Sequence, residues 1–466
     1  MNVIVLLADG ARADWLARAL DSGAAPSLAR LRSEGASHDV TTVFPSVTGP
    51  AYVPFLMGRF PGAVGMPGLR WFDRARTACH WPDYTRSYVG YQMMRVDGDL
   101  DPRAPTIFEL VPGSVGALSV LTRGLSGDRK LMALSPRLAV RAALTHFRGD
   151  IAAMLDVDRE IATEVEARAG KTRYLFAAFG SVDKISHAKG QESAAALNAL
   201  RVVDDTVGAI REKLERSNTW HDTRLYVTSD HGHAPVSHHE DLERIVAAFG
   251  HRVIAHPWVY RARPEVAVMV SGNAMAHVYV DLARRDRPYV GGMSDSARSL
   301  AQRLLERPSV DLLLAPLSES SCEVHSLIGG HAIVTHTGTT YTYARQTGDP
   351  LALGVDLRDL TARAAHVACA QTAYPDALVQ IAAIASAPRS GDIILSAAHA
   401  WDFRSRYEPI AHVSTHGSLR RHHMLVPVLS NHAPKRAPWR TTDLMPTALA
   451  TLGLPVPPGL DGEPFE

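Results

Sequence analysis

Asp9, Asp183 and Asp230 each stand where an apolar run of the chain gives way to a turn, and two of them come with a histidine at a useful spacing. Asp183 and His187 are four apart, so one helical turn puts both on the same face. Asp230 and His231 are adjacent on an expected loop, where both side chains can turn to one site. Carboxylate oxygen and imidazole nitrogen are donors for a divalent cation. Thr48 adds a hydroxyl in the segment Phe44-Pro-Ser-Val-Thr-Gly-Pro-Ala, where turn residues lead into a helix expected to begin near Pro50. The free backbone N–H groups of a helix start favour an anion. A hydroxyl is a weak nucleophile at neutral pH, and bonding to a divalent metal activates it. Each feature also has a plainer reading. A lone D-x-x-x-H or Asp-His pair occurs in many proteins that bind no metal. A lone Asp at a strand end is commonly a cap or turn former, and Thr48 or Ser46 can serve simply as an N-cap. The joint pattern, with the residues in order at strand ends, outweighs these separate readings.

The elements that would position these residues follow a strand-loop-helix grammar. Residues 3–8 are a continuous apolar run, as expected of a strand buried on both faces, and a helical pattern follows over 11–19. Residues 174–179 read as a strand leading to Asp183, and 192–214 as a long helix. Residues 225–228 read as a strand ending at Asp230-His231. Strands alternating with helices predict an α/β fold with a mostly parallel central sheet flanked by helices on both faces. In such sheets the ligand crevice lies at the carboxyl ends of the strands, where these acids and histidines fall. Residues 84–170 read as largely helical, most clearly over 154–169. From 241 to 404 the character changes: short strands are expected near 267–270, 276–280 and 332–335, with turns at Gly329-Gly330 and Gly348-Asp-Pro350. This predicts a catalytic core formed by 1–240 and 405–466, with 241–404 as an inserted α+β cap. The chain closes with a helix over 443–452 and a Pro/Gly-rich tail.

The bulk numbers set limits. Lys and Arg total 49 against 48 for Asp and Glu, so no global field favours nucleic acid or an acidic membrane, and an anionic substrate must be held by a local site. Cys79, Cys322 and Cys369 form no CxxC pair, which points to neither a disulfide framework nor a thiolate zinc site. The apolar N-terminal run is too short for a signal sequence, and no apolar stretch is long enough to span a membrane, so a cytoplasmic location without a membrane partner is expected.

Taken together, the motifs have a family likeness: Leu7-Ala-Asp9-Gly-Ala-Arg-Ala-Asp14, Pro45-Ser-Val-Thr48-Gly-Pro, Asp183-Lys-Ile-Ser-His187, Ser229-Asp230-His231-Gly232, Ser414-Thr-His416-Gly-Ser, and a closing segment from Thr442 to Leu460-Asp-Gly. Spread over nearly the whole chain, this set resembles the alkaline phosphatase superfamily, most closely its nucleotide pyrophosphatase/phosphodiesterase branch. The resemblance implies two divalent metal ions, zinc by ligand type, with manganese or iron as substitutes. One would be held by Asp183, His187 and His416, the other by Asp9, Asp230 and His231 with the Thr48 oxygen. It implies that Thr48 attacks phosphorus to give a phosphothreonine that water then releases, with a small-molecule phosphate ester as substrate.

One departure stands out. The branch uses an asparagine to contact a phosphoryl oxygen, and the corresponding position here is Leu69, with no asparagine nearby. Arg70 is the candidate to fill that role, since a guanidinium can bind phosphoryl oxygens in bidentate fashion; its alternative is an ion pair with Asp73. His233, His238 and His239 are expected on a solvated loop, and His422 and His423 on the surface of the next element. Trp71, Phe72 and Trp81 are expected mainly in packing, with a substrate wall as the alternative. A phosphodiesterase or nucleotide pyrophosphatase leads. A phosphomonoesterase or phosphonate hydrolase using the same metals is its rival, with Arg70 and Lys184 as cationic groups. A non-catalytic metal-binding protein is a third possibility.

Overall fold

The computed structural model describes residues 1–75, 85–88, 91–132, 141, 151–255, 263–406, 408 and 410–466. Its central element is the strand Asn2–Ala8, buried from Val3 onward. Alternate side chains leave a strand on opposite faces. Here Val3, Val5 and Leu7 enter one hydrophobic cluster while Ile4, Leu6 and Ala8 enter another. Both faces are therefore covered, which is why the run is apolar without alternation.

Seven strands form this sheet, in the order Ala36–Thr41, Leu425–Ser430, Thr223–Thr228, Asn2–Ala8, Tyr174–Phe179, Val115–Ala117 and Lys130–Leu131. The central strand pairs in parallel with Tyr174–Phe179 and with Thr223–Thr228. Leu425–Ser430 alone runs against its neighbours. The helices Ala13–Asp21, Pro26–Glu34, Ile151–Arg168, Ser181–Lys189 and Ala194–Arg216 cover one face. The short helix Val53–Met57 and the C-terminal helix Leu444–Thr451 cover the other. The α/β architecture thus agrees with the expectation. The reading of 84–170 as largely helical holds over its clearest stretch, 154–169, but not over the described residues of 85–131. The described part of 85–131 holds the short strands Thr85–Ser87, Val115–Ala117 and Lys130–Leu131 with only brief helical turns; a long helix is described over Ile151–Arg168, while 133–140 and 142–150 lie outside the described residues. These strands have too few residues to establish a period of two, so the sequence pattern missed them.

A second sheet of nine strands lies wholly within 253–397. Only Val253–Ala255 pairs in parallel with its neighbour; the remaining pairings are antiparallel. The expected strands near 267, 276 and 332 appear as Val266–Ser271, Met275–Tyr279 and Gly330–Thr337. A small third sheet joins Ala234–His239 to Ala400–Asp402 and Ser414–Thr415. Among the described residues no helix is long and apolar enough to cross a membrane.

Candidate metal centre

Asp9 follows the central strand, and its backbone N–H donates to the Phe179 carbonyl of the neighbouring strand at 3.0 Å. Gly10 then turns the chain at φ 79°, where a side chain would crowd His233 and the Asp183 backbone. Asp183 and His187 lie on the helix Ser181–Lys189, one turn apart as predicted, with His187 Nε2 3.2 Å from Asp183 Oδ1. Buried Asp158 accepts from the Gly180 and Ser181 N–H groups at 3.0 Å each and so fixes the start of that helix. Asp230 and His231 leave the strand Thr223–Thr228, and the Gly10 N–H donates to Asp230 Oδ1 at 3.2 Å.

His416 arrives from the far end of the chain. It is held against the turn of the hairpin Val266–Ser271/Met275–Tyr279, where the Ala274 N–H donates to the His416 carbonyl at 3.1 Å. Gly272 in that turn has φ 62°, and a Cβ there would come within 2.7 Å of Val47 and 3.1 Å of the His416 ring. The second sheet therefore buttresses the centre through one glycine turn.

All six residues named as ligand candidates from the sequence come together. Asp183, His187 and His416 form one buried group, and Asp9, Asp230 and His231 another. The rings of His231 and His416 stack between them at 3.6 Å. Thr48 is half-buried beside the second group: its Oγ1 is 3.2 Å from Asp9 Oδ1 and 3.1 Å from His231 Nε2. Tyr52 donates to Asp9 Oδ2 at 3.1 Å. The helix expected near Pro50 begins there as a 3-10 turn, Pro50–Tyr52, and continues as Val53–Met57.

The residue underestimated from the sequence is His233. Rather than lying on a solvated loop, it is fully buried, with Nε2 2.9 Å from Asp183 Oδ1, and it completes a group of four with Asp183, His187 and His416. Its Nδ1 faces Ser414 Oγ at 3.1 Å, while that hydroxyl donates to the Ala234 carbonyl. The sequence signal for this is slight: a second histidine two residues past His231, meaningful only once Ser414 is brought alongside.

The ring orientations decide what the centre can do. Nδ1 of His187 donates to the Ser414 carbonyl at 2.9 Å, that of His416 to the Ser46 carbonyl at 3.0 Å, and that of His231 to the Gly232 carbonyl at 3.2 Å. The Nε2 atoms are thereby turned toward carboxylate oxygens, with His416 Nε2 3.4 Å from Asp183 and His231 Nε2 3.4 Å from Asp230. Burial drives the imidazoles of His231, to about 3, and of His416, well below the usual range, toward their neutral forms. In the neutral form an unprotonated Nε2 faces an acceptor oxygen, an arrangement that a cation between them makes favourable. Asp230 Oδ2 is buried without a hydrogen-bond partner. Burial, with the charge of Asp183, pushes Asp230 up to about 7, and burial with Asp230 and Asp183 raises Asp9 well above the carboxylate range. Burial acts in the same direction on Asp183, but Lys184 and His187 outweigh it and hold its carboxyl well below that range. Uncompensated buried carboxylates of this kind cost several kcal/mol unless paired or coordinated, roughly as for other buried ions. The donor set fits divalent cations.

The remaining candidates have the following partners. Arg70 opens the strand Arg70–Phe72, and its guanidinium donates to Ser87 Oγ at 3.3 Å and the Val270 carbonyl at 3.1 Å, while Asp73 is met by Arg389 at 3.7 Å. Trp71 and Phe72 are core residues, Trp71 packing edge-on to Tyr88. Trp81 lies outside the described residues. His238 and His239 sit on the strand Ala234–His239, against Trp401 and Asp402. His422 is exposed as expected. His423 is not: it is buried and bonded to Ser418.

Residues 3–419 match the family model described as type I phosphodiesterase / nucleotide pyrophosphatase. Human ectonucleotide pyrophosphatase / phosphodiesterase 5 is similar in fold at 15% identity, with a TM-score of 0.60, over 99% of this chain and 97% of that one. Phosphonoacetate hydrolase from Sinorhizobium meliloti 1021, solved with phosphonoacetate, is similar at 14% identity and a TM-score of 0.59, over 97% of this chain and 96% of the other. The inactive murine ectonucleotide pyrophosphatase / phosphodiesterase 5 in complex with AMP gives 15% identity and a TM-score of 0.57, over 98% and 96%. No curated protein matches by sequence.

Proposed function

The chain belongs to the type I phosphodiesterase / nucleotide pyrophosphatase family of phosphoric ester hydrolases, and from that premise we propose that it hydrolyses small-molecule phosphodiesters or nucleotide pyrophosphates through a phosphothreonine at Thr48. The observation that carries this reading is the convergence of a hydroxyl, three buried aspartates and a set of imidazoles whose Nε2 atoms face inward. Asp183, His187 and His416 would hold one divalent cation and Asp9, Asp230, His231 and Thr48 the other, zinc by donor type; bound there, the pair supplies charge that activates the hydroxyl and neutralises phosphoryl oxygens.

The protein's own groups set the rest. Tyr52 occupies one oxygen of Asp9 and leaves the other for Thr48. Lys184 donates to Asp183 Oδ2 at 2.9 Å, which leaves Oδ1 for the imidazoles. Thr48 Oγ bonds to phosphorus as the bond to the leaving oxygen breaks. Water then displaces Thr48 from phosphorus, and two inversions give retention. Arg70 is assigned to the phosphoryl oxygens in place of the family's asparagine. In support, its neighbour Leu69 approaches the Thr48-Gly49 loop, 3.7 Å from where a Gly49 Cβ would stand. The core-and-cap division at 241–404 belongs to the same proposal, supported by the sheet formed wholly inside that segment.

A phosphonate or phosphomonoester is the second reading, favoured by the half-exposed cationic Lys184 beside the centre. Rates on bis-p-nitrophenyl phosphate, p-nitrophenyl phosphate and a phosphonoester, before and after chelation and zinc return, test both. A preference for the diester that is lost with metal and restored by zinc is expected. Turnover that survives full metal removal would overturn the metal reading.

A further inference from the structure

The structure assigns a third divalent-metal site to Glu323, His325 and His331, on the second sheet and apart from the candidate centre. The hairpin Ser321–Ser326/Gly330–Thr337 is antiparallel with His325 directly opposite His331. Glu323 and His325 are two apart on one strand, so they share a face. That face is the outer one: Cys322 and Val324 point into the core, while Glu323, His325 and His331 are only half-buried. The two imidazoles stack at 4.2 Å with planes 10° apart. Both rings turn Nε2 to the same carboxylate, His325 at 3.0 Å from Oε2 and His331 at 3.8 Å from Oε1.

The His331 contact is too long for a hydrogen bond, and its Nε2 is buried without any other partner. A zinc ion bonded tetrahedrally at its usual distances holds neighbouring ligand atoms about 3.4 Å apart. The two separations, one to each carboxylate oxygen, lie on either side of that value, and ligand atoms from all three residues lie within 4.8 Å of one another. Two imidazoles and a carboxylate are the donor set of a borderline ion such as Zn2+. Three protein ligands leave a position for water, so the ion would exchange. It would tie the two strands together at the mouth of the loop that carries exposed Leu327 and Ile328.

Zinc counted per chain, by equilibrium dialysis of the full protein and of the H325Q/H331Q variant, tests the site. One zinc fewer in the variant is expected, with phosphoester turnover unchanged. The difference is the readout, so it stands whether the candidate centre holds two ions or none. E323Q, which leaves both imidazoles in place, is expected to weaken the same ion, and equal melting of all forms in chelator shows that folding is intact. Equal zinc counts in wild type and variant, or a site that fills only at millimolar zinc, would overturn the assignment.

Discussion

His231 and His416 lie face to face, their ring centroids 3.6 Å apart and their planes 8° from parallel. The two belong to different ligand groups, one anchored on a strand end beside the central strand and the other on a segment close to the C-terminus. Their contact joins the two ligand groups side by side. Burial holds both rings below the usual imidazole range, and a charge on His231 would lower His416 further.

The metal-free protein should carry a penalty at Asp230 that grows with pH. The folded-state value of about 7 lies above the ordinary 3.8, so the favourable contribution of the protonated form is complete below about pH 4 and lost as pH rises through 7. Asp230→Asn removes that loss. In chelator, the variant should melt like wild type near pH 4 and exceed it by up to roughly 4 kcal/mol above pH 7. A pH-independent difference would contradict the assignment of an unpaired buried carboxylate. With zinc present the order should reverse, because the variant lacks a ligand.

Thr48→Ala should keep its metal content and lose turnover by roughly 10^3-fold or more, while Thr48→Ser retains measurable rate because a hydroxyl remains. Rapid quench of the wild type with a diester labelled at phosphorus should trap the label on Thr48 as a phosphoryl group that still carries the second alcohol, one alcohol having left. Full activity in the alanine variant would rule out this nucleophile.

His233→Ala should lower zinc affinity by about 10–100-fold, as expected for a group that orients or completes a ligand set. Calorimetric titration gives the number. Ser414→Ala, which leaves the His233 ring without its Nδ1 partner, should produce a smaller loss in the same direction.

Arg70→Ala should raise KM for phosphate esters about tenfold with little change in kcat, and Arg70→Lys should not restore it, since an ammonium lacks the planar fork. If Arg70 only supports Val270 and Ser87, KM will stay constant and only the melting temperature will fall.

Much of this centre was readable from the chain because each ligand candidate follows a strongly patterned element. Asp9 and Asp230 end apolar strands, and Asp183 with His187 falls on a helix whose period puts them together. His233 was hidden because its role depends on Ser414, which only the fold brings alongside. The second sheet was legible at the apolar strand Val266–Ser271 but not at Thr340–Gly348, where Arg345, Gln346 and Thr347 face solvent, Tyr343 is the one fully buried side chain and the alternation is weak. Arg70 could be named as a cation in the right stretch, but its hydrogen bonds to Val270 and Ser87 depend on contacts remote in sequence.

Ser414 holds His187 through its carbonyl and His233 through its hydroxyl, and His416 follows two residues later. During synthesis, the three aspartates are all in place long before this segment leaves the ribosome. A chain that ended before Ser414 would lack these partners of His187 and His233 together with His416 itself, and also the strand Leu425–Ser430 that joins two others of the central sheet.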